Sequence, residues 1–223
     1  HRVVIFRDGF DRTSQVRAFS AFDSQDPEDL WRHLEEYERK TGGQAIAIPH
    51  NSNASNGRMF ELKDMQGRPL TRDYAERRAR WEPLLEVTQI KGDSDDAFAD
   101  FETWDRGNLL FSKPKETWML QHEYARAALK LGLQQYAAFG VNPFKFGMIG
   151  SSDAHTGLAA VEENNFWGKV IASEPSPDRW RKPFFKGEAL EVRNSELAAS
   201  GYAAVWATAN TREAIFAAMK RRE

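Results

Sequence analysis

The stretch "FGMIGSSDAHTGL", from Phe146 to Leu158, ends an apolar run in a glycine, two serines, an aspartate and a histidine. The run from Phe146 to Gly150 suits a short buried strand. Ser151, Ser152, Asp153, Ala154 and His155 then place polar groups at its carboxyl end, the end where α/β proteins build active sites from loops. Residues two apart in an extended backbone point to one side. Asp153 and His155 can therefore converge on one point, as a carboxylate and an imidazole do around a cation.

Working outward, other segments share this strand-then-polar pattern. "QAIAIPH" is a short buried strand ending at Pro49 and His50, followed by the polar segment "NSNASNGRMFELKDMQGRPL". Leu84–Ile90 in "PLLEVTQIKGD" is another strand, with Lys91 and Asp93 after it. The chain opens "HRVVIFRDGF", placing His1 directly before a strand over Val3–Phe6. Between these lie helices. Asp26 is the expected N-cap and Pro27 the first residue of a helix closed by Gly42–Gly43, with Leu30, Leu34 and Tyr37 on one face. A charged helix is expected over Arg72–Arg80, and "KPKETWMLQHEYARAALKLGL" reads as one helix ending near Gly132. "SGYAAVWATA" reads as a last strand and "NTREAIFAAMKRR" as a last helix, with Asn210 and Glu213 spaced as a capping box. Asp93–Lys113 is ambiguous, with Phe98, Phe101 and Trp104 needing burial, and Glu174–Phe185 reads as an insertion. Strand–helix alternation indicates an α/β fold with a mainly parallel sheet, and polar clusters after several strands favour a barrel.

Composition narrows the function classes. The 223 residues are 41% hydrophobic with 15 Phe and 7 Trp, enough for a substantial core. A net charge of −2 argues against nucleic acid as a partner. Without cysteine, disulfides and thiolate–zinc sites are excluded. No run reaches the ~18 apolar residues of a membrane-spanning helix, so no membrane segment is expected.

The five histidines differ in context. His33 lies mid-helix among charged residues and reads as an ordinary boundary residue, and His122 as a helix-packing one. His1, His50 and His155 adjoin strands, which makes them candidate ligands, although caps and loops also use histidine. Glu86 is central in "LLEVTQI" and needs a cation, donors or a proton if buried. It either pairs with a core arginine or hydrogen-bonds a ligand residue. Asn51, Asn53 and Lys91 are candidate substrate contacts, with a turn-rich loop and an exposed lysine as the plain alternatives. No nucleophile elbow, phosphate-binding glycine loop or HExxH occurs, and neighbouring Ser, Asp and His do not make a serine triad.

"IPHNSN", "LLEVTQIKG" and "IGSSDAHTG", in this order, resemble the later metal motifs of the polymerase and histidinol phosphatase (PHP) superfamily. The whole chain resembles the C-terminal portion of a bacterial domain-of-unknown-function family related to it. The resemblance implies a distorted (β/α) barrel whose strand ends hold two or three divalent metal ions, typically zinc, manganese or iron. By position it makes His1, His50, Asp153 and His155 metal ligands, Asp153 and His155 catalytic, and Glu86 a near-site carboxylate. The superfamily's opening His-x-His and bridging Glu have no counterpart here, so an upstream segment of the same protein is expected to complete the site. The implied activity is phosphoester hydrolysis of a small anionic substrate by a metal-activated water. The alternatives are sulfatase or other anionic-ester cleavage, and a non-catalytic binding module on a degenerate barrel.

Overall fold

The computed structural model describes residues 1–96, 115–155, 162, 164, 168–187, 191–197 and 201–223. Phe98, Phe101 and Trp104 lie outside them. Strand β1 (Arg2–Phe6) leads to a short helix α1 (Phe10–Thr13), helix α2 (Pro27–Thr41) and strand β2 (Ala45–Pro49). Helix α3 (Arg72–Trp81) precedes strands β3 (Leu84–Gln89) and β4 (Gly92–Asp93). Helices α4 (Thr117–Leu120) and α5 (Ala125–Phe139), strand β5 (Gly147–Gly150), hairpin strands β6 (Pro183–Lys186) and β7 (Glu191–Arg193), and helix α6 (Arg212–Arg221) follow.

Local signals set α2. Asp26 accepts the Glu28 amide at 2.9 Å, Pro27 starts the helix, and Gly42 ends it in the left-handed conformation. Its buried face of Leu30, Trp31, Leu34 and Tyr37 packs with Ala45 and Ala47 of β2 and with Tyr74 and Trp81 of α3. The other side of β2, Ile46 and Ile48, joins Leu84 of β3 and Phe216 and Met219 of α6. Leu85 faces away from that cluster, into one with Phe60, Ala125, Ala128, Leu131 and Phe144. Period-2 alternation in β2 and β3 thus binds three helical layers around the strands.

Strand pairing differs from the mainly parallel sheet expected. Among the described strands only β3–β5 is parallel; β1–β2, β3–β4 and β6–β7 are antiparallel, in three separate small sheets. The antiparallel register sets Arg2 opposite Pro49, so the start of β1 lies beside the end of β2. No described strand pairs with the other edge of β1.

Three local expectations shift. The helix expected to end near Gly132 is broken into α4 and α5 and runs on to Phe139, where Gly140 caps it with φ 74°. The break is held from a distance. The His122 carbonyl accepts the Phe60 amide at 2.9 Å while its Nδ1 lies 3.1 Å from the Phe60 carbonyl, and Glu123 is fully buried against Lys115 at 2.7 Å. Gly132 lies inside α5 rather than at its end, and Asn142 fills the space a Cβ there would need. Helix α6 is capped by Thr211, whose Oγ1 accepts the Ala214 amide at 3.2 Å, not by Asn210. Finally, 201–207 is not a regular strand. It makes two backbone bonds beside the end of β5, Gly150 N to Tyr202 O and Gly201 N to Ser151 O, both 2.9 Å. The Glu174–Phe185 stretch carries a 3-10 turn and enters the β6–β7 hairpin. No helix among the described residues is long and apolar enough to cross a membrane.

A buried ion cluster joins β1, α2 and α3. Glu82 Oε1 meets Arg2 Nε at 2.8 Å and accepts Trp31 Nε1 at 3.1 Å, while Arg78 Nε lies 3.1 Å from Oε2. Burial pushes the Glu82 carboxyl up, but Arg2 and Arg78 outweigh it and hold it below the ordinary value. Glu82→Gln should cost about 3–5 kcal/mol at pH 7, because two arginines lose their counter-charge inside the protein. A lowered folded pKa stabilises above the unfolded value of about 4.3 and ceases to as pH falls through the folded one. The gap between wild type and variant should therefore narrow at pH 3, as urea unfolding at both pH values will show. A gap that is small at pH 7, or constant with pH, contradicts this role.

Candidate active site

Four segments extend their inward stripes to one place. His1, Val3 and Ile5 from β1, Ile48 and His50 from β2, Glu86 from β3, and Ile149, Ser151 and Asp153 from β5 line a cavity of about 610 Å³. Along β1 and β2 the lining residues are spaced by two, so apolar strand positions lead to His1 and His50 on the same stripe, while Glu86 is the one β3 residue and Ile149–His155 line the cavity continuously. Antiparallel pairing explains why His1 precedes its strand while His50 follows its own: the His50 amide donates to the His1 carbonyl at 3.1 Å, and the rings lie 4.6 Å apart.

Glu86 is 3% exposed and, among the described residues, pairs with no arginine; it holds His50. His50 Nδ1 lies 2.7 and 2.8 Å from the two carboxylate oxygens. Ser151 Oγ donates to Glu86 Oε2 at 2.5 Å, and the Asn51 amide to Oε1 at 3.3 Å. A carboxylate only accepts, so Nδ1 carries a proton, and in the neutral His50 ring Nε2 then presents a lone pair. That Nε2 lies 3.5 Å from Asp153 Oδ1, and His155 Nε2 lies 3.3 Å from the same oxygen.

Two lysines complete the cluster. Lys91 Nζ is 2.5 Å from Asp153 Oδ2, and Lys169 Nζ contacts the same oxygen. Burial pushes the Asp153 carboxyl up, but Lys169 and Lys91 outweigh it and keep it below its usual value. Burial lowers the Lys169 ammonium to about 8, with Lys91 adding to the fall and Asp153 opposing it. Asn51 and Asp153 both adopt left-handed φ, 52° and 53°, which short polar side chains tolerate better than others.

His50, Asp153 and His155 are thus brought together, with His1 alongside. The expected substrate contacts stand elsewhere. Asn51 is buried and accepts from Gln89 Nε2 at 2.7 Å; Asn53, also buried, gives its carbonyl to Lys115; Lys91 backs Asp153. None of the three is on the cavity wall. His33 and His122 stay away from the site, near Phe19 and Phe60. Lys169 and Ser151 belong to the cluster without having been singled out in the sequence. Ser151 could have been, since it continues the Ile149 stripe, whereas an isolated lysine carries no such signal.

Bond lengths of ~2.0–2.2 Å in a tetrahedral zinc site set donor atoms ~3.4 Å apart. The two donor spacings on Asp153 Oδ1, 3.5 and 3.3 Å, match that edge. Among the described residues no three His, Asp or Glu side chains are gathered into a metal-holding group, and Lys169 Nζ lies 2.8 Å from His155 Nε2. The spacings at Asp153 Oδ1 match that edge, while the Lys169 ammonium takes the His155 Nε2 lone pair.

A family model described as "Protein of unknown function (DUF3604)" matches residues 1–223. The chain belongs to the DUF3604 family. No curated protein and no solved structure matches it. In this DUF3604 chain the Glu86–His50 pair generates the sharpest expectation. Side-chain ¹⁵N NMR should find His50 in one tautomer, protonated at Nδ1. Glu86→Leu keeps the bulk and removes every acceptor, so it should mix the tautomers and cost about 1–3 kcal/mol for the unpaired donors. A wild-type His50 protonated at Nε2 contradicts the arrangement.

Proposed function

We propose that this DUF3604 chain belongs to a metal-dependent hydrolase of small anionic esters, phosphoesters first, on a distorted (β/α) barrel of the PHP type. The observation that carries the proposal is the convergence of His50 Nε2 and His155 Nε2 on Asp153 Oδ1, with Glu86 behind His50. Backing of a ligand imidazole by a carboxylate is the usual second layer of a metal site. His50, Asp153 and His155, with His1 beside them, would hold the ions, two or three of zinc, manganese or iron. When bound, such ions lower the pKa of a water from ~15.7 toward ~7 and neutralise charge on the reacting ester.

The chain's own groups have separate tasks. Glu86 holds the His50 tautomer and ring plane, and Ser151 fixes Glu86 in turn. Lys91 and Lys169 keep Asp153 ionised despite its burial, so its carboxylate stays an anionic donor. Val3, Ile5, Ile48, Ile149 and Met219 supply the apolar lining of the cavity beside the charged cluster.

The test is manganese titration by calorimetry, followed by p-nitrophenyl phosphate, bis(p-nitrophenyl) phosphate and p-nitrophenyl sulfate as substrates. Manganese uptake with phosphoester turnover supports the proposal. Turnover of the sulfate alone moves the assignment to a sulfatase, and neither uptake nor turnover moves it to a binding module. Asp153→Asn should lose both uptake and turnover while keeping its fold, because the amide lacks the charge that holds a divalent ion. His33→Ala should retain both and lose about 1 kcal/mol of stability or less. An Asp153→Asn protein with wild-type uptake would falsify the donor assignment.

A further inference from the structure

We propose that Lys169 is a positioning residue of this site, which holds the turn carrying Asp153 and His155 so that both side chains face His50. The proposal rests on the reading of these three residues as one donor set. Its evidence is the distribution of the Lys169 bonds. An ammonium has three N–H groups. Those of Lys169 reach three acceptors within one turn: the Asp153 carboxylate, the Asp153 main-chain carbonyl at 2.8 Å, and His155 Nε2 at 2.8 Å. The His155 amide returns a bond to the Lys169 carbonyl at 3.0 Å. One side chain thereby grips Asp153 at both its side chain and its backbone, and His155 at its ring.

The turn needs such a grip. Asp153 is in the left-handed region at φ 53°, which a residue with a Cβ leaves more readily than glycine unless its neighbours hold it. Leaving that region would swing its carboxylate away from His50. Lys91 differs in a useful way: it takes only the carboxylate oxygen, from the turn between β3 and β4, and restrains no backbone atom of Asp153 in the described bonds. Neither lysine is on the cavity wall, and the Lys169 side chain is 5% exposed, so substrate contact does not explain its burial. With Oδ2 taken by the lysines, Oδ1 is the oxygen left toward His50 and His155.

The experiment compares metal-free wild type, Lys169→Met and Lys91→Met by backbone and side-chain NMR. In wild type the Asp153 carbon shifts should report left-handed φ. Lys169→Met should move Asp153 out of that region and shift the His155 Nε2 resonance, with Tm lowered by about 5 °C or less. Lys91→Met should leave the Asp153 backbone shifts in place. If Lys169→Met fails to fold, Lys169→Gln, which keeps a donor amide, is read the same way. Asp153 and His155 shifts unchanged by loss of Lys169, or changed equally by loss of Lys91, overturn the proposal. Failure of the metal reading is seen separately, as absence of manganese uptake by wild type, and leaves the metal-free NMR result decisive for Lys169.

Discussion

The buried bond between Glu86 and His50 is the constraint on which the rest of the site depends. A carboxylate at 3% exposure is tolerated only when donors surround it, and here they come from two segments: the His50 ring and Asn51 amide just past β2, and the Ser151 hydroxyl just past β5. Satisfying Glu86 therefore requires the end of β2, the middle of β3 and the end of β5 to meet at one point. Once they meet, the geometry of Asp153 relative to His50 follows. The parallel β3–β5 pairing runs through the same place: Glu86 is opposite Ile149, and the Ser151 amide donates to the Thr88 carbonyl at 3.0 Å. Gly150 and Gly201 let 201–202 approach the other side of Ser151, since a Cβ at Gly150 would fall 2.7 Å from the Tyr202 nitrogen.

Much of this was legible in the sequence because the signals were local. Asp26-Pro27 and Gly42 bracket α2 with chemistry that acts within one turn, and "AIAIP" and "LLEVTQ" are strands whose alternation already indicates two faces. His50, Asp153 and His155 were recognisable because each lies just past an apolar strand. What could not be read depends on partners distant in sequence. The break before α5 is imposed by Lys115 on Glu123 and by Phe60 on His122, 62 residues away from it. A helical periodicity that continues through 121–124 conceals both. The antiparallel β1–β2 pairing is equally hidden, because short apolar strands do not state the direction of a neighbour.

The lysines show the same limit from the other side. Lys91 follows a strand and invited a role toward substrate, yet its ammonium lies behind Asp153. Lys169 follows Asp153 by 16 residues with no pattern around it, and only the folded chain shows its contact with the carboxylate, the carbonyl and the His155 ring. Lysine ammoniums meet one oxygen of Asp153 and imidazole nitrogens lie near the other. The two ammoniums are what keep this buried carboxyl below its usual value.

The most direct measurement is zinc-edge anomalous diffraction from crystals of the protein grown with zinc. The account predicts a peak bonded to His50 Nε2, Asp153 Oδ1 and His155 Nε2 at ~2.0–2.2 Å, with Glu86 still on His50 Nδ1 and the Lys169 ammonium displaced from His155 Nε2. A map with no peak in the cavity, or with zinc bound elsewhere while the lysine ammoniums remain the only cations at Asp153, would contradict it.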